Sequence, residues 1–540
     1  MTLIPHSPPS DAPATEALGS GPASPPDEHL AGSFPKNEHR QSHLLDELIL
    51  RGPLSLAIEG RAMNPRERQI LLNRAWSFVD HVLTLGSNDE TTTPRMMGIE
   101  IEGALLRQDG TYAMGTAPQV LSHLNRKLWH DEAGSGSVEF ASAPIQVTAG
   151  ALPRLLRHTQ SQFDTISALA KKKGLLVVGT GIVPILERDQ ALRPEMCSAT
   201  DGKEALALHW QAIEKERSNT DHHGHTAPRR RSVTLEYEGS AYEMTTDTAA
   251  WTTINSLHVT FQTRNHADAL HLFNGLRALT PLMLGASCNT GLLNGHALKY
   301  QDYRPKIIAE SGPLDFNFDT CTGIIADKAE SLRHAFELVM PAIATDQCPT
   351  ISLKSGEPAT LRDAFESVRE SIFPSIQIRF HPTDPRTILI EYRPLSVQLT
   401  VDRNIAMSAV LLLAADYMAT HPEEVNQIGR EDLLNDIDSA TRDGMNAQIY
   451  NPLRGCGPTR GTVAEILTAA LPVFERAGIA TGLVSPSDLS VLNVFRHQLA
   501  HRETSATILR REVAQHGLSG ALARNQLATS AESHPHNRTL

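Results

Sequence analysis

Cysteine is scarce and scattered in this chain of 540 residues. None of its five cysteines forms a CxxC pair, which argues against a disulfide framework and against a zinc knuckle. No apolar run reaches the roughly 18 residues that a membrane-spanning helix needs. The N-terminal segment MTLIPHSPPSDAPATE has no basic stretch followed by an apolar one. We therefore expect no signal peptide and a cytoplasmic protein.

Positive charge is also in deficit. Lys and Arg number 49 against 61 Asp and Glu, which gives a formal net charge of −12. A negative net charge does not favour binding to nucleic acid or to an anionic membrane, so we expect neither as a partner. Hydrophobic residues at 40% and charged residues at 20% are typical of a globular protein rather than a disordered or fibrous one.

Composition and periodicity divide the chain into five stretches. Segments rich in Pro, Ser, Gly and Ala cannot bury enough apolar surface to offset the entropy of ordering, whereas helical or alternating spacing predicts packed elements. We assign the strand-rich region and the helical part after it to one unit. In chain order the stretches are a disordered leader at 1–40, N-terminal helices at 41–90, a strand-rich region at 91–404 with an inserted polar loop at 218–232, a helical part at 405–524 and a disordered tail at 525–540.

Five predicted strands alternate apolar side chains with polar ones. In GIEIEGALL, Ile99 and Ile101 share one face while Glu100 and Glu102 share the other, because successive side chains of a strand point to opposite sides. The same alternation holds in SVEFASAP, NSLHVTFQT, SIQIRFHP and RTILIEYRPL. Their notable polar positions are Glu139, His258, Thr260, Gln377, Arg379, His381, Glu391 and Arg393.

The ordinary interpretation of these strands is an antiparallel sheet with one solvated face. However, lysine is absent from all five polar faces, whereas carboxylates, histidine and arginine recur. Carboxylates on adjacent strands repel one another unless a cation lies between them. Oxygen ligands suit Mg²⁺ or Mn²⁺, which bring substrate phosphates with them, and arginines supply forked donors for phosphate or carboxylate. The pattern favours phosphoryl transfer supported by metal ions.

The order of these motifs resembles the glutamate–cysteine ligase type 2, or carboxylate–amine ligase, family of bacteria. MGIEIEGALL is similar to the family's opening Gly-Ile-Glu-x-Glu strand, and SVEFASAPI to its second acidic strand. NSLHVTFQT resembles its His-Val-His strand, YQDYRPKI its Ser-x-Arg segment, and SIQIRFHPTDPRTILIEYRPL its paired strands ending in Glu-x-Arg. Each motif is weak alone. Their order, over roughly residues 95–520, is specific.

This resemblance implies an α+β, glutamine synthetase-like fold, in which a curved antiparallel sheet forms an active-site funnel backed by helices. It also implies ATP-dependent amide formation between a carboxylate, typically that of glutamate, and an amine, typically that of cysteine, with Mg²⁺ as the metal and Mn²⁺ as its alternative. The positions it associates with metal and nucleotide phosphates are Glu100, Glu102, Glu139, His258 and Glu391. The positions expected to contact substrate carboxylate or phosphate, and so to act in catalysis, are Arg304, Arg379 and Arg393, of which Arg393 is also expected to contact the nucleotide.

The chain departs from the family pattern at three places. The second His of His-Val-His is Thr260, and the Ser of Ser-x-Arg is Asp302. The family's extra acidic residue before the second strand is not matched in register, since Asp131 and Glu132 lie further upstream. These departures leave the substrates open more than the type of reaction.

Two alternatives stand beside a ligase that proceeds through an acyl phosphate. One is a ligase or phosphotransferase of the same fold that uses other substrates in a biosynthetic pathway. The other is a non-catalytic, ligase-like scaffold that binds nucleotide or protein. The intact acidic strands and the intact Glu391-x-Arg393 motif weigh against the scaffold.

Overall fold

The computed structural model describes residues 65–86, 93–132, 134–185, 232–237, 240–245, 253–311, 324–340, 360–370 and 374–529. Its strands are β1 (Met96–Arg107), β2 (Trp129–Asp131), β3 (Ser137–Ala141), β4 (Ile145–Gln146), β5 (Leu175–Val178), β6 (Ser232–Tyr237), β7 (Ser240–Thr245), β8 (Ser256–Gln262), β9 (Leu292–Leu293), β10 (His296–Ala297), β11 (Ile376–Phe380), β12 (Ile388–Ser396), β13 (Gln448–Tyr450) and β14 (Arg460–Thr462). Its α-helices are α1 (Pro65–Gly86), α2 (Ala117–Leu121), α3 (Ala151–Lys172), α4 (His266–Ser287), α5 (Arg304–Ser311), α6 (Leu332–Val339), α7 (Leu361–Glu370), α8 (Val401–Thr420), α9 (Arg430–Asp443), α10 (Val463–Ala480), α11 (Asn493–His501) and α12 (Ser505–Arg524).

The central element is an eight-stranded antiparallel sheet. Its main path runs β11-β12-β8-β1-β3-β2, and the long strand β1 also pairs with β4 near its start and with β5 near its end. Neighbours in the middle of the sheet are distant in sequence: β8 lies between β1 and β12. The sheet therefore gathers residues from nearly 300 positions of the chain.

One face of this sheet is apolar and carries the main core. Ile99, Ile101, Val259, Phe261 and Tyr392 are all buried in one hydrophobic cluster, as the alternation within the strands predicts. Helix α4 packs against β12, and α8 packs against α4. The opposite, polar face is consequently free to carry functional groups.

Buried ion pairs fix these helices behind the sheet. Arg95, just before β1, donates from Nη2 to Asp268 of α4 at 2.8 Å and to Asp416 of α8 at 3.2 Å. The N-terminus of α4 is capped by Asn265, whose side chain accepts from the Asp268 backbone N–H at 2.9 Å, and capping of this kind satisfies a backbone donor that the helix leaves unpaired. The edge of the sheet and both helices are thereby held at one point.

Helix α1 covers the far end of the sheet. Its residue Phe78 packs against Phe365 of α7 and Phe380 of β11, with ring centroids 5.7 Å and 5.1 Å apart. This helix falls within the range 41–90 predicted to hold N-terminal helices. Residues 1–64 and 87–92, including the predicted leader, lie outside the described part of the chain.

The C-terminal helices begin and end somewhat differently from the prediction. Helix α8 starts at Val401 rather than near 405. The predicted disordered tail from 525 is wrong for its first residues: Leu527 is buried, and its N–H donates to Val177 of β5 at 3.0 Å. Burial of the Leu527 side chain against the sheet favours order here, although the surrounding residues are mostly polar. Residues 530–540 lie outside the described part of the chain, as do residues 218–231 of the predicted loop.

None of the helices in the described segments is both long and apolar enough to span a bilayer.

Candidate active site

Strand register places the predicted acidic residues on one surface. Glu100 of β1 lies directly opposite His258 of β8, and Glu102 lies opposite Glu139 of β3. On the other side of β8, Thr260 lies opposite Glu391 of β12. Because directly opposed residues of an antiparallel pair point to the same side, these side chains share the polar face. Four neighbouring strands thus contribute to one site.

The first cluster consists of Glu100, His258 and Glu391, each offering an atom within 4.8 Å of the others. The Nδ1 atom of His258 lies 3.1 Å from Oε2 of Glu100 and 3.6 Å from Oε1 of Glu391. Burial increases across the cluster: Glu100 is partly exposed, whereas the side chain of Glu391 is fully buried. The cluster is open to ligands from the Glu100 side.

Electrostatics in the first cluster favour the forms that bind metal. Burial would raise the pKa of Glu100, but the hydrogen bond and charge of His258, together with Arg379 and Arg393, hold it at about 2. Burial lowers the pKa of His258 to about 4, with the Arg393 charge acting in the same direction. At neutral pH the carboxylate is therefore ionised and the imidazole neutral, which are the states that coordinate a cation.

The second cluster consists of Glu102, Glu132 and Glu139. Burial, and then the charge of Glu132, raises the pKa of Glu102 to about 8. Burial and the charges of Glu132, Glu100 and Glu102 raise the pKa of Glu139 well above its usual value. These carboxyls resist ionisation because they crowd one another in a buried place, and a divalent cation among them would remove that cost.

Two predicted arginines lie at the edge of the first cluster. Nη1 of Arg393 lies 2.5 Å from Oε1 of Glu391, and Nη2 of Arg379 pairs with its other oxygen. Burial, and then the charge of Arg369, lowers the pKa of Arg379 to about 10, so the Arg379 guanidinium stays charged at neutral pH. Each remains partly exposed beside the buried Glu391.

Arg304, the third predicted arginine, lies elsewhere. It begins α5 and is almost completely buried, and its guanidinium donates to the hydroxyls of Ser256 at 2.6 Å and Ser396 at 3.0 Å and to the Pro394 carbonyl at 3.0 Å. Asp302 lies beside it, and burial raises the pKa of that carboxyl. The structure therefore sets Arg304 beneath the site rather than among the groups that line it.

A family model decides the relationship of this chain to known proteins. The model described as glutamate-cysteine ligase family 2 matches residues 96–457, which include β1, β3, β8, β11 and β12. The chain belongs to this family. The resemblance of its ordered motifs to the glutamate–cysteine ligase type 2 family is thereby confirmed.

The chain is similar to solved structures at low sequence identity. The glutamate–cysteine ligase from Francisella tularensis, in complex with AMP, is 11% identical with a TM-score of 0.50, over 81% of this chain and 88% of that one. A bifunctional glutathione synthetase from Pasteurella multocida is 12% identical with a TM-score of 0.48, over 85% of this chain and 54% of that one. The chain thus spans about half the length of the Pasteurella protein. No match was found among curated proteins.

The fold prediction is confirmed by this likeness and by the sheet itself. The sheet is antiparallel, glutamine synthetase-like and backed by helices, and it carries the predicted acidic residues on its polar face. Both carboxylate clusters fit Mg²⁺ or Mn²⁺ in ligand type, since their donors are carboxylate oxygens and one imidazole.

Two residues at or beside the site, Glu132 and Arg369, were not predicted from the sequence to lie there. Glu132 belongs to the second cluster, although it lies further upstream of β3 than the extra acidic residue of the family pattern does. The signal was the alternation in WHDE: His130 lies opposite Glu139, so Glu132, two positions on, belongs to the same face. Arg369 of α7 donates to Oε1 of Gln377 at 3.2 Å, the atom that also accepts from Arg379 at 3.1 Å. No strand pattern could reveal Arg369, because it comes from a helix.

Proposed function

We propose that this protein is an ATP-dependent carboxylate–amine ligase that forms an amide bond through an acyl phosphate. The observation that carries the proposal is the placement of two carboxylate clusters side by side on one sheet face, through Glu100 and Glu102 of the same strand, with Arg379 and Arg393 at their edge. Such a surface combines sites for cations with donors for phosphate. Membership of glutamate-cysteine ligase family 2 supports the same reaction class.

Metal binding is assigned to both clusters. Glu100, His258 and Glu391 would hold one ion, and Glu102, Glu132 and Glu139 another. Mg²⁺ bound there supplies positive charge that offsets the nucleotide phosphates and the phosphoryl group during transfer. The protein's own contribution is to keep five carboxylates and an imidazole in place before the nucleotide arrives, so that little reorganisation is needed during the reaction.

The first chemical step is phosphoryl transfer to the substrate carboxylate. A carboxylate oxygen attacks the γ-phosphorus of ATP, a P–O bond forms, and the bond between that phosphorus and the bridging oxygen breaks to release ADP. Arg393 and Arg379, partly exposed beside Glu391, would donate to the oxygens of the transferred group. Their charge would stabilise the transition state more than the ground state, which is the requirement for lowering the barrier.

The second step forms the amide. The amine nitrogen attacks the acyl carbon, the C–O bond to phosphate breaks with its electrons going to phosphate, and the proton lost by the nitrogen passes to the released phosphate. Positioning of the amine beside the acyl phosphate would provide most of the acceleration of this step. We propose a glutamate-like carboxylate and a cysteine-like amine as substrates, because this is the pairing that the family is named for.

ADP release tests this proposal. Protein with Mg²⁺ and ATP is supplied with glutamate, cysteine, both, or pooled amino acids, and the product is identified by mass spectrometry. The proposal predicts ADP only when a carboxylate and an amine are both present, with one amide formed for each ADP. A folded protein that binds ATP and Mg²⁺ yet releases no ADP with any pool would point to the scaffold. ADP formed with phosphate transferred to a stable ester would point to a phosphotransferase.

A further inference from the structure

A buried network lies directly behind the second cluster. Asp302 accepts from the Ser396 hydroxyl at 2.7 Å and from the Arg304 backbone N–H at 2.9 Å. Arg304 in turn donates to Ser256 and Ser396. These two serines lie opposite each other at the start of β8 and the end of β12, so Arg304 links the two strands there. A carboxylate and a guanidinium buried together form a costly pair unless their remaining hydrogen bonds are satisfied. These contacts satisfy both terminal nitrogens of Arg304, whereas its Nε has no hydrogen-bond partner among the described residues.

The same network reaches a predicted metal ligand. The backbone N–H of Ser256 donates to Oε2 of Glu102 at 2.6 Å, and the hydroxyl of Ser256 accepts from Nη2 of Arg304 at 2.6 Å. Ser256 is therefore held from one side by Arg304 and holds Glu102 on the other. A shift of Ser256 would move the one described backbone donor that fixes the direction of the Glu102 carboxylate.

Local strand irregularity explains why such support is needed. The pairing of β12 with β8 shifts register between Tyr392 and Leu395 and resumes with Leu395 opposite Leu257 and Ser396 opposite Ser256, so the regular ladder is interrupted just before this end of the two strands. Arg304 donates to the carbonyl of Pro394 at 3.0 Å within that irregular stretch. Glycine at position 181 leaves room for the arginine. A larger residue there would place its Cβ only 2.9 Å from Cδ of Arg304 and 2.9 Å from Oγ of Ser396, which is too close for an ordinary contact.

We propose that Asp302, Arg304 and Ser256 position Glu102 as a metal ligand, and that Arg304 acts through this network rather than on the substrate. The inference rests on the proposed function, because it takes Glu102 to be a ligand. It assigns a role to Asp302, which departs from the family's Ser-x-Arg pattern. Groups that orient metal ligands from behind typically change metal affinity about 10–100-fold when they are removed.

Mn²⁺ titration followed by the electron paramagnetic resonance of the free ion tests this role. A Glu391→Gln background removes a ligand of the first cluster, so that remaining binding reports on the second. In that background Ser256→Ala, which keeps the backbone N–H, and Asp302→Asn should each weaken Mn²⁺ binding about 10–100-fold. Ser408→Ala, which removes a buried hydroxyl of α8 that donates to the carbonyl of Asn404, should leave binding unchanged.

A second background separates positioning from general loss of structure. In Glu139→Gln, where the remaining binding reports on the first cluster, Ser256→Ala and Asp302→Asn should leave Mn²⁺ affinity as it was. Equal weakening in both backgrounds, or unchanged binding in both, would overturn the inference. So would a raised KM for the carboxylate substrate with unaltered Mn²⁺ binding, because Arg304 would then act on the substrate. If the protein without any substitution binds no Mn²⁺, the proposed function itself is overturned.

Discussion

His258 and Glu100 meet across directly opposed positions of β8 and β1, with Nδ1 of the imidazole 3.1 Å from Oε2 of the carboxylate. The contact joins two strands that are more than 150 residues apart in sequence. It also holds the pKa of Glu100 down to about 2 against the effect of burial. A carboxylate kept ionised beside a neutral imidazole is a ready cation ligand, and the first predictions concern the residues around it.

Replacing Glu391 by Gln should abolish most of the activity. The variant loses a buried ligand of the first cluster and the partner of both Arg379 and Arg393. We expect a fall in kcat of at least about 10²–10³-fold, the range seen when one transition-state donor is lost, measured as ADP release. Glu337→Gln is the matched control, because Glu337 lies on the surface and pairs with Arg333. Near-normal turnover of a folded Glu391→Gln protein would refute the assignment.

Replacing Glu132 by Gln should impair Mn²⁺ binding as much as Glu139→Gln does. Both residues contribute carboxylates to the second cluster, whereas the neighbouring Asp131 pairs with Arg126. Isothermal titration with Mn²⁺ should show weaker binding in Glu132→Gln, and Asp131→Asn should bind like the unmodified protein. If only the Asp131 variant binds more weakly, the acidic residue before β3 has been assigned to the wrong position.

Without metal, folding stability should fall as pH rises from 6.5 to 8. The pKa of Glu102 is raised from 4.5 to about 8, so the folded state keeps a proton that the unfolded chain has lost. Its contribution to the free energy of unfolding is fully present below pH 4.5 and is lost as the pH rises to about 8. The loss is at most about 1.4 kcal/mol per pH unit. His258, with a pKa lowered to about 4, gives the opposite slope, but only below about pH 6.5.

Urea unfolding in the presence of EDTA measures this slope. Glu102→Gln, which cannot ionise, should show a smaller decrease in the free energy of unfolding over the same pH range. Identical slopes in the two proteins would mean that Glu102 is already ionised in the metal-free protein.

Replacing Arg393 by Lys should lower kcat while sparing metal binding. Lysine keeps the charge but cannot reproduce the forked donors of the guanidinium, so stabilisation of the transferred phosphoryl group is reduced. We expect a decrease of about 10–10²-fold in kcat for ADP release, with Mn²⁺ affinity within about twofold of normal. Arg386→Lys, in the turn between β11 and β12 where Arg386 pairs with Asp384, should be neutral. Unchanged kcat in Arg393→Lys would show that only its charge matters.

Much of the polar face could be predicted from the sequence, because strand geometry makes side-chain alternation local. The two-residue period of a strand is enough to place Glu100 and Glu102 on one face of β1, and Glu391 and Arg393 on one face of β12. The strand order could not be predicted in the same way. Nothing local to β8 indicates that it lies between β1 and β12, and this order was accessible only through the family resemblance.

The burial of Arg304 and the position of Arg369 could not be predicted either. Arginine is rarely fully buried unless it is paired, so a sequence favours placing Arg304 in contact with ligand. Its partners Ser256 and Ser396 lie 48 and 92 residues away, and only the fold brings them together. Arg369 reaches the site from α7, whose packing beside β11 depends on contacts distant in sequence.

Isotope transfer from the carboxylate to phosphate tests the central claim most directly. A carboxylate substrate labelled with ¹⁸O is turned over with ATP, Mg²⁺ and the amine, and the inorganic phosphate is analysed by mass spectrometry. Activation as an acyl phosphate on this sheet face predicts one ¹⁸O atom in each phosphate released, with ADP as the nucleotide product. Unlabelled phosphate accompanying amide formation, or AMP in place of ADP, would contradict the account.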